Sequence, residues 1–383
     1  MLNPTLPVSV ASKFRGCILG ALVGDCMAAR FDKSPESFAS IASRIEPSSL
    51  RNQIPRNGGR FLFPHGVDSV MLLATAESVK RSFASTGSFG DASKLSTLVR
   101  KALQDSLEEH SRNASSVQWG VGTKHVLETS VGSRQLRSNC GVTRALVAGL
   151  VDAEKLAEPL CTATHTHPSA TSGALTVARA VKLAVFEDRL LSASDVSEIP
   201  SYDKIVHKAV DLATHGSYSE DDEFSTILQD RFRARFGADA SSQCAVAAAT
   251  FAVHRTVHAL PYLDASSREY RERISQVTQA GTKKKQLGIA ANTLGNSNRL
   301  DTASLFSALT PSIEQDLPVA IAVAWAISLG GDVRSNACLA GGLAGALWGQ
   351  EAIPDEWLMF SEGVDYARAV ADSLLHLTQG ISS

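Results

Sequence analysis

Two short stretches of the chain each place a carboxylate and a hydroxyl at the start of an apolar run with helical spacing. Asp68 and Ser69 form the first pair, and Asp332 and Ser335 form the second. Carboxylate oxygens are ligands that magnesium prefers in proteins, and a nearby hydroxyl can add another oxygen. An aspartate at a helix start also caps the helix by accepting hydrogen bonds from free backbone N–H groups. The residues alone favour the capping role for Asp68 and leave metal binding open.

A third stretch, residues 132–144, has the composition of a ligand-binding turn. It places Ser138, Asn139 and Gly141 ahead of Arg144, and an apolar helical run follows. Backbone N–H groups at a helix start can bind phosphate, and a basic side chain adds to the attraction. The same residues also fit an ordinary helix start with basic flanks, so both interpretations stay open.

Three further polar side chains could belong to a site. Asp25 follows a glycine-rich stretch, where we expect it to make a structural hydrogen bond. Asp32 ends the sequence Arg-Phe-Asp, a few residues after this stretch. His167 forms a His-x-His pair with His165, but no third metal ligand is evident. The residues alone are consistent with a buried imidazole at His167.

The elements that must position these side chains are predicted to be helices. Alternating strand patterns are nearly absent, whereas apolar residues recur at helical spacing. The helical stretches are residues 67–83, 93–108, 143–156, 172–186, 241–260 and 318–329. The polar segments 34–60 and 264–300 indicate surface loops or short helices, and the lysine run 283–285 within the second indicates a solvated surface.

Two glycine-rich helices, one near each end of the chain, are expected to meet in the core. They lie at residues 14–26 and 340–349. A glycine inside a helix costs about 1 kcal/mol relative to alanine, so several of them indicate a close approach between helices. We therefore predict an all-α fold, a single compact domain of about ten helices over residues 14–378, preceded by a flexible arm, residues 1–13.

Composition and charge exclude several classes of protein. The 383 residues are 44% hydrophobic, which suits a sizeable core, and the net charge of −2 gives no basic footprint for nucleic acid or membrane lipid. No apolar run reaches the roughly 20 residues that span a bilayer. The six cysteines form no Cys-x-x-Cys pair, so buried reduced thiols are expected. We expect a monomer of the cytoplasm or nucleus.

Taken in order, these motifs resemble the ADP-ribosylglycohydrolase family, and most closely its type-3 ADP-ribosylhydrolases. The resemblance extends from about residue 14 to residue 377 and includes Pro-Asp-Glu-Trp at 354–357. It implies two magnesium ions and an ADP-ribose pocket. The implied metal ligands are Asp68, Ser69, Asp332 and Ser335. The implied ADP-ribose-binding residues are Ser138, Asn139, Gly141, Arg144 and His167, and the implied catalytic carboxylate is Asp32.

The chain departs from the family pattern at the metal ligands. Thr-Asp-Asp-Thr is replaced by Gly-Val-Asp-Ser at 66–69, so Val67 stands in place of a carboxylate, and Arg334 replaces the second aspartate of Gly-Asp-x-Asp-Thr. Asp32 is also one methylene shorter than the glutamate of the type-3 enzymes. One hypothesis is that Arg334 pairs with Asp68 and Asp332 in place of the metals. The alternative is that Arg334 points into solvent.

Three functions remain open from the sequence. The first is an ADP-ribose-binding protein whose catalysis is impaired by the changes at Val67 and Arg334, with ADP-ribose or an ADP-ribosylated protein as partner. The second is an active hydrolase that removes ADP-ribose from protein or small-molecule acceptors. The third is a structural, crystallin-like protein with a vestigial pocket. Binding of ADP-ribose with and without magnesium distinguishes these functions.

Overall fold

The computed structural model describes residues 8–31, 36–46, 50, 63–87, 91–112, 117–129, 136–214, 222–259 and 317–381. Within these ranges the backbone is helical or irregular, and extended residues pair in just two isolated bridges. The all-α prediction is confirmed. The lysine run 283–285 and the rest of segment 264–300 lie outside the described residues, as do residues 1–7.

The helices cover most of the described chain. In order they are α1 (Val10–Ala28), α2 (Phe38–Ile45), α3 (Val67–Thr86), α4 (Ala92–Arg112), α5 (Val121–Thr129), α6 (Cys140–Thr143), α7 (Ala145–Leu150), α8 (Ala157–Thr162), α9 (Pro168–Phe186), α10 (Tyr202–Thr214), α11 (Asp222–Phe236), α12 (Ser242–Ala259), α13 (Pro318–Ser328), α14 (Val333–Trp348), α15 (Asp355–Phe360) and α16 (Val364–Ile381). Short 3₁₀ turns lie at Glu154–Leu156, Ala193–Val196 and Gln350–Ala352.

Helices α1 and α14 are packed backbone to backbone in the centre of the molecule. A Cβ atom on Gly20 would clash with the carbonyl oxygen of Gly341, and a Cβ on Gly341 would clash with that of Gly20. Gly24 meets the backbone of Ala337 in the same way. The predicted meeting of the two glycine-rich helices is therefore confirmed, and it brings the end of α1 against the start of α14.

The other long helices surround this pair. Helices α12 and α13 pack against α14, α16 runs along α1, and α3 contacts both α4 and α16. The core is built largely of small and branched apolar side chains from these helices. Because α1 and α14 come from opposite ends of the chain, their contact closes the fold around the helices in between.

Helix boundaries differ from the sequence predictions, most clearly in two places. Helix α1 begins at Val10, inside the stretch predicted as the arm, because the Ser9 side chain accepts a hydrogen bond from the backbone N–H of Ser12 at 3.1 Å. The single helix predicted over residues 143–156 is broken into α6, α7 and a 3₁₀ turn, and Asp152 has a left-handed φ of 49° there. The predicted periodicity continued across a turn that the sequence did not mark.

All six cysteines are buried and free, as predicted from their apolar surroundings. Burial raises the pKa of each thiol, so none is poised as a thiolate. Among the described helices, none combines the length and the apolar character needed to cross a bilayer.

Candidate functional site

The polar motifs converge where the end of α1 meets the starts of α3 and α14. Asp25 lies near the end of α1, Asp68 and Ser69 lie in the first turn of α3, and Asp332 caps α14. The glycine contacts between α1 and α14 fix this convergence. The structure therefore brings together the two motifs that the sequence singled out, although they are more than 260 residues apart.

Asp25 is fully buried and serves as an acceptor for the start of α3. Its Oδ2 atom accepts hydrogen bonds from the backbone N–H of Gly66 at 2.7 Å, the backbone N–H of Ser69 at 3.2 Å and the Ser69 hydroxyl at 2.7 Å. Gly66 and Ser69 thus receive from α1 the capping that α3 lacks from its own N-cap side chain. The expected structural role of Asp25 is confirmed.

Arg334 pairs with Asp25. Its Nε donates to Oδ1 of Asp25 at 2.7 Å, and its Nη2 donates to the carbonyl oxygen of Pro64 at 3.4 Å. The predicted pairing with Asp68 and Asp332 is wrong, because both oxygens of Asp68 are engaged elsewhere while Asp25 faces the first turn of α14. The solvent-pointing alternative is wrong as well, since one third of the Arg334 side chain is exposed and its head lies in an ion pair.

The loop before α3 is shaped around this ion pair. A Cβ atom on Gly66 would lie 2.5 Å from Cζ of Arg334 and 2.6 Å from Oδ1 of Asp25, so glycine leaves the space that the guanidinium needs. Burial lowers the pKa of Arg334, but the charge of Asp25 and the hydrogen bond to it outweigh burial and raise the pKa overall. Arg334 is therefore a fixed cation at any physiological pH.

Asp68 is buried and held by two hydroxyl groups. Its Oδ2 accepts from the hydroxyl of Ser335 at 2.6 Å, and its Oδ1 accepts from the hydroxyl of Thr143 at 3.2 Å. Burial, followed by the charges of Asp332 and Asp25, raises the pKa of Asp68 to about 7, although the two hydroxyls favour the carboxylate. The capping role that the residues alone favoured is not what the structure shows, because Asp68 lies inside the first turn of α3.

Asp332 is the N-cap of α14 and is half-buried. One carboxylate oxygen accepts from the backbone N–H of Ser335 at 3.5 Å, and the other accepts from the side-chain amide of Asn139 at 3.1 Å. Asn139 is buried and precedes α6, so this bond joins the turn at 138–144 to the acidic cluster. The cluster therefore consists of three carboxylates, Asp25, Asp68 and Asp332, with the single cation Arg334.

The other predicted ligand-binding residues have different environments. Ser138 is half-buried, and its hydroxyl contacts Nε2 of His165. Gly141 is packed inside, where a Cβ would lie 2.8 Å from Sγ of Cys161. Arg144 is fully buried and donates to the carbonyl oxygen of Cys161 at 3.0 Å and to the hydroxyl of Thr164 at 2.7 Å.

His167 is the N-cap of α9, and its Nδ1 accepts from the backbone N–H of Ser169 at 3.1 Å. It is half-buried. Asp32, the predicted catalytic carboxylate, lies outside the described residues. The structure thus joins Asp68, Asn139, Asp332 and Ser335 through hydrogen bonds. Ser69 bonds to Asp25 instead, and Arg144 is buried in the core.

A match to a family's sequence profile decides which family this is, and the fold and the acidic cluster agree with it. The fold is an all-α core closed by two glycine-rich helices, and its acidic cluster is formed by the two motifs at 66–69 and 331–335. The sequence profile that describes ADP-ribosylglycohydrolases matches residues 6–382. The chain belongs to the ADP-ribosylglycohydrolase family.

Relatives within the family are distant in sequence but similar in length. ADP-ribosylhydrolase ARH3 of Danio rerio is 23% identical over 397 residues, covering 97% of this chain and 92% of that protein. The Mus musculus ARH3 is 22% identical over 394 residues, covering 96% and 92%. A solved structure of an ADP-ribosylglycohydrolase-related protein complex aligns with a TM-score of 0.53 at 17% identity, covering 97% of this chain and 99% of that chain. This likeness confirms the predicted ADP-ribosylglycohydrolase fold.

The residues present do not fit the pair of magnesium ions that the family resemblance implies. Both oxygens of Asp68 and both of Asp332 already accept hydrogen bonds from within the protein. Magnesium requires near-octahedral oxygen ligands, usually carboxylates and water. Across the described residues, no three His, Cys, Asp or Glu side chains are grouped so as to hold a metal.

The charge of Arg334 adds to this mismatch. A guanidinium ~4 Å from a divalent ion repels it by about 8 kcal/mol at an effective dielectric constant of 20. Screening by solvent lowers that figure, since the Arg334 side chain is one third exposed. The ion pair and the hydroxyl groups satisfy the cluster without a metal.

Sequence reasoning missed three contributors to the site. It did not assign Asp25 as the partner of Arg334, although Asp25 directly follows Gly24 in the glycine series that faces α14. It did not single out Thr143, for which the sequence carries no signal. It also chose His167 over His165, whereas the structure places His165 against Ser138. The signal for His165 was the His-x-His pair itself.

Proposed function

We propose that this protein binds ADP-ribose, free or attached to protein, without magnesium, and that its capacity for hydrolysis is impaired. The observation that carries the proposal is the ion pair between Arg334 and Asp25 in the acidic cluster. In this proposal the guanidinium supplies positive charge at a place where the family resemblance implies metal ions. Family membership supports ADP-ribose as the ligand.

Charge balance supports a metal-free site. Three carboxylates close together would repel one another, and burial makes that repulsion expensive. Arg334 neutralises one of them directly, and Asp68, whose pKa is raised to about 7, can carry a proton. The hydroxyls of Ser69, Thr143 and Ser335 donate to the remaining lone pairs. Each carboxylate is thus stabilised by the chain's own groups.

The proposed ligand contacts lie on the turn before α6 and at the start of α9. Ser138 and His167 are half-buried and can reach a bound ligand, whereas Asn139 orients Asp332 and Gly141 allows close packing against Cys161 and His165. Arg144 is too deeply buried to touch a ligand, so we assign it an indirect role. Impaired hydrolysis is further supported by the shorter side chain of Asp32 and by Val67, which offers no ligand oxygen.

Calorimetric titration of ADP-ribose tests the proposal. The titration is done once with millimolar magnesium and once with a chelator, and release of ADP-ribose from modified protein is assayed in both buffers. We expect the same affinity in both and no turnover. Binding that requires magnesium, together with turnover, would show an active hydrolase and overturn the proposal. No binding in either buffer would instead favour a structural, crystallin-like protein.

A variant of the ion pair sharpens the test. Arg334→Met removes the guanidinium but keeps a side chain of similar length, and we expect it to weaken binding of ADP-ribose in the chelator buffer. Arg44→Met is the matched control, because Arg44 also forms an ion pair, with Glu36, but lies 43% exposed outside the cluster. Equal affinities for the two variants would show that the ion pair plays no part in binding.

A further inference from the structure

A groove lies between the start of α4 and the segment formed by the 3₁₀ turn Glu154–Leu156 and helix α8. Its volume is about 540 Å³, which is the size of a site for a small molecule or a short peptide. The polar side chains that line it include six that we call the groove residues, namely Ser93, Ser96, Arg100, Lys155, Glu158 and Thr162. None of them belongs to the acidic cluster or to the turn at 138–144.

The groove residues have no partners of their own. Among the described residues, none of the six side chains takes part in an ion pair or accepts or donates a side-chain hydrogen bond. Neighbouring charged side chains of α4 are paired, since Lys94 lies 3.6 Å from its partner Asp91 and Lys101 lies 2.8 Å from Asp105. The groove therefore offers two cations, one carboxylate and three hydroxyls that remain available to a ligand.

Positive charge is in excess on the inner side of the groove. Burial is the largest cause that lowers the pKa of Arg144, and the charge of Arg100 adds to it, so the two guanidinium groups lie close enough to repel each other. Arg144 is fully buried, and its Nε and Nη1 atoms have no hydrogen-bond partner within the described chain. An anion bound at Arg100 would offset the charge of both groups.

The chemistry of the groove restricts the kind of anion. Two cations and three hydroxyls can all donate to phosphate oxygens, which only accept. A nucleotide base has nothing to stack on, because no described residue of the groove is aromatic. A long polyanion such as a nucleic acid would be repelled by the carboxylate of Glu158.

The shape of the groove suits a short stretch of polypeptide. The wall of α4 from Ala92 to Arg100 is about 12 Å long, the span of roughly four residues of extended chain. Inorganic phosphate alone would occupy a small part of this volume. Clusters of basic side chains are a common means of recognising phosphorylated segments of other proteins.

We propose that this groove binds a phosphorylated serine or threonine in a segment of a partner protein, with Arg100 and Lys155 holding the phosphate. Glu158 selects for a lysine or arginine beside the phosphorylated residue and against a second acidic residue, because its own charge is negative. The inference goes beyond ADP-ribose binding and does not rest on it.

The first experiment tests the class of ligand. The full chain is immobilised and exposed to a pool of seven-residue peptides with phosphoserine fixed at the centre and the other positions varied, and mass spectrometry measures what is retained. We expect about tenfold more retention than for the same pool with unmodified serine, the effect of one hydrogen bond to a charged oxygen. Lysine or arginine should be enriched beside the phosphoserine. Equal retention of the two pools, or none of either, would overturn the proposal.

The second experiment locates the site by calorimetric titration of the peptide that is retained most strongly. Arg100→Gln should weaken its binding about tenfold, and Glu158→Gln should abolish the preference for a neighbouring basic residue. Arg112→Gln is the matched control, because Arg112 is exposed on the same helix about 18 Å further along its axis. Urea denaturation of each variant shows that the fold is kept. Equal affinities of Arg100→Gln and Arg112→Gln would overturn the assigned site.

Competition with ADP-ribose separates this groove from the proposed ADP-ribose pocket. An excess of ADP-ribose should leave binding of the phosphopeptide unchanged. Displacement of the peptide would place it in the ADP-ribose pocket and overturn the separate groove. If the protein instead fails to bind ADP-ribose but retains the phosphopeptide, the proposed function is wrong and the inference from the groove stands.

Discussion

At the scale of single residues, the site is defined by how its charges are compensated. Asp25 accepts from three groups of α3 and from Arg334, and Asp68 accepts from two hydroxyls. A buried charge that loses its partner costs far more than the pair contributes. Residues such as Arg334 and Ser335 therefore matter for folding as well as for any ligand.

Replacing Arg334 tests this balance through stability. We expect Arg334→Met to lower the free energy of unfolding by about 2 kcal/mol, because Asp25 is left fully buried without its cation. This is less than the loss for a fully buried ion pair, since the Arg334 side chain is partly exposed. Urea denaturation measures the change. Arg44→Met should cost less than about 0.5 kcal/mol, as surface pairs do. A loss no larger than that of the control would contradict the prediction.

The buried His165 predicts a dependence of stability on pH. Burial lowers its pKa to about 3 in the folded protein, from an ordinary value of 6.5. Between these two values His165 is protonated in the unfolded chain and neutral in the folded protein. The contribution of His165 to the free energy of unfolding is fully present above pH 6.5. It is lost as the pH falls, by about 1.4 kcal/mol per pH unit below pH 6.

His165→Gln isolates this effect, because a glutamine amide can accept from Thr164 and donate to Ser138 without titrating. Urea denaturation from pH 7 to pH 5 measures the free energy of unfolding of both proteins. As the pH falls, the wild type should lose more stability than the variant. All other titrating groups are common to both proteins. Parallel curves would show that His165 is protonated as easily in the folded state as in the unfolded one.

At the scale of elements, the contact between α1 and α14 determines where the site lies. Gly16, Gly20 and Gly24 repeat every four residues and so occupy one face of α1. That face touches the backbone of α14 directly, and Asp25 follows it immediately. A shift of either helix would therefore separate Asp25 from Arg334.

Gly20→Ala tests the contact. Alanine favours an isolated helix by about 1 kcal/mol over glycine, but here its Cβ would clash with the carbonyl oxygen of Gly341. Because neither backbone can move without repacking the core, we expect a net loss of about 3 kcal/mol in the free energy of unfolding. The control is Gly122→Ala in α5, where the nearest atom is the movable end of the Leu136 side chain and the change should be neutral or slightly stabilising. Equal stability of the two variants would contradict the assigned contact.

At the scale of the whole molecule, the sequence predicted the fold better than the site. Periodicity and glycine spacing predicted an all-α fold and its central helix pair, because both are local patterns with a direct geometric meaning. The partner of Arg334 was not predictable, because Asp25 is 309 residues away and their contact depends on how α1 and α14 are rotated. Among the longer helices, α10, α11 and α16 were not predicted. Helix α11 mixes charged and apolar residues without a clear apolar face.

Binding of magnesium to the cluster can be tested through the stability of the whole molecule. Val67→Asp together with Arg334→Asp would raise the number of carboxylates in and around the cluster and remove its cation. The double variant should then be much less stable than the wild type in chelator. It should regain stability in magnesium, since a ligand that binds the native state alone stabilises it by RT ln(1 + [L]/Kd), about 2.7 kcal/mol at one hundred times Kd.

Thermal unfolding of the double variant measures this linkage directly. With millimolar magnesium its Tm should rise by several degrees over that in chelator, while the wild type should not change, because Arg334 already compensates Asp25. Sodium chloride at matched ionic strength controls for screening of the surface. A Tm that ignores magnesium in the double variant would show that Arg334 is not what keeps metal from this site. Restoring the two carboxylates would then not be enough to rebuild a metal site.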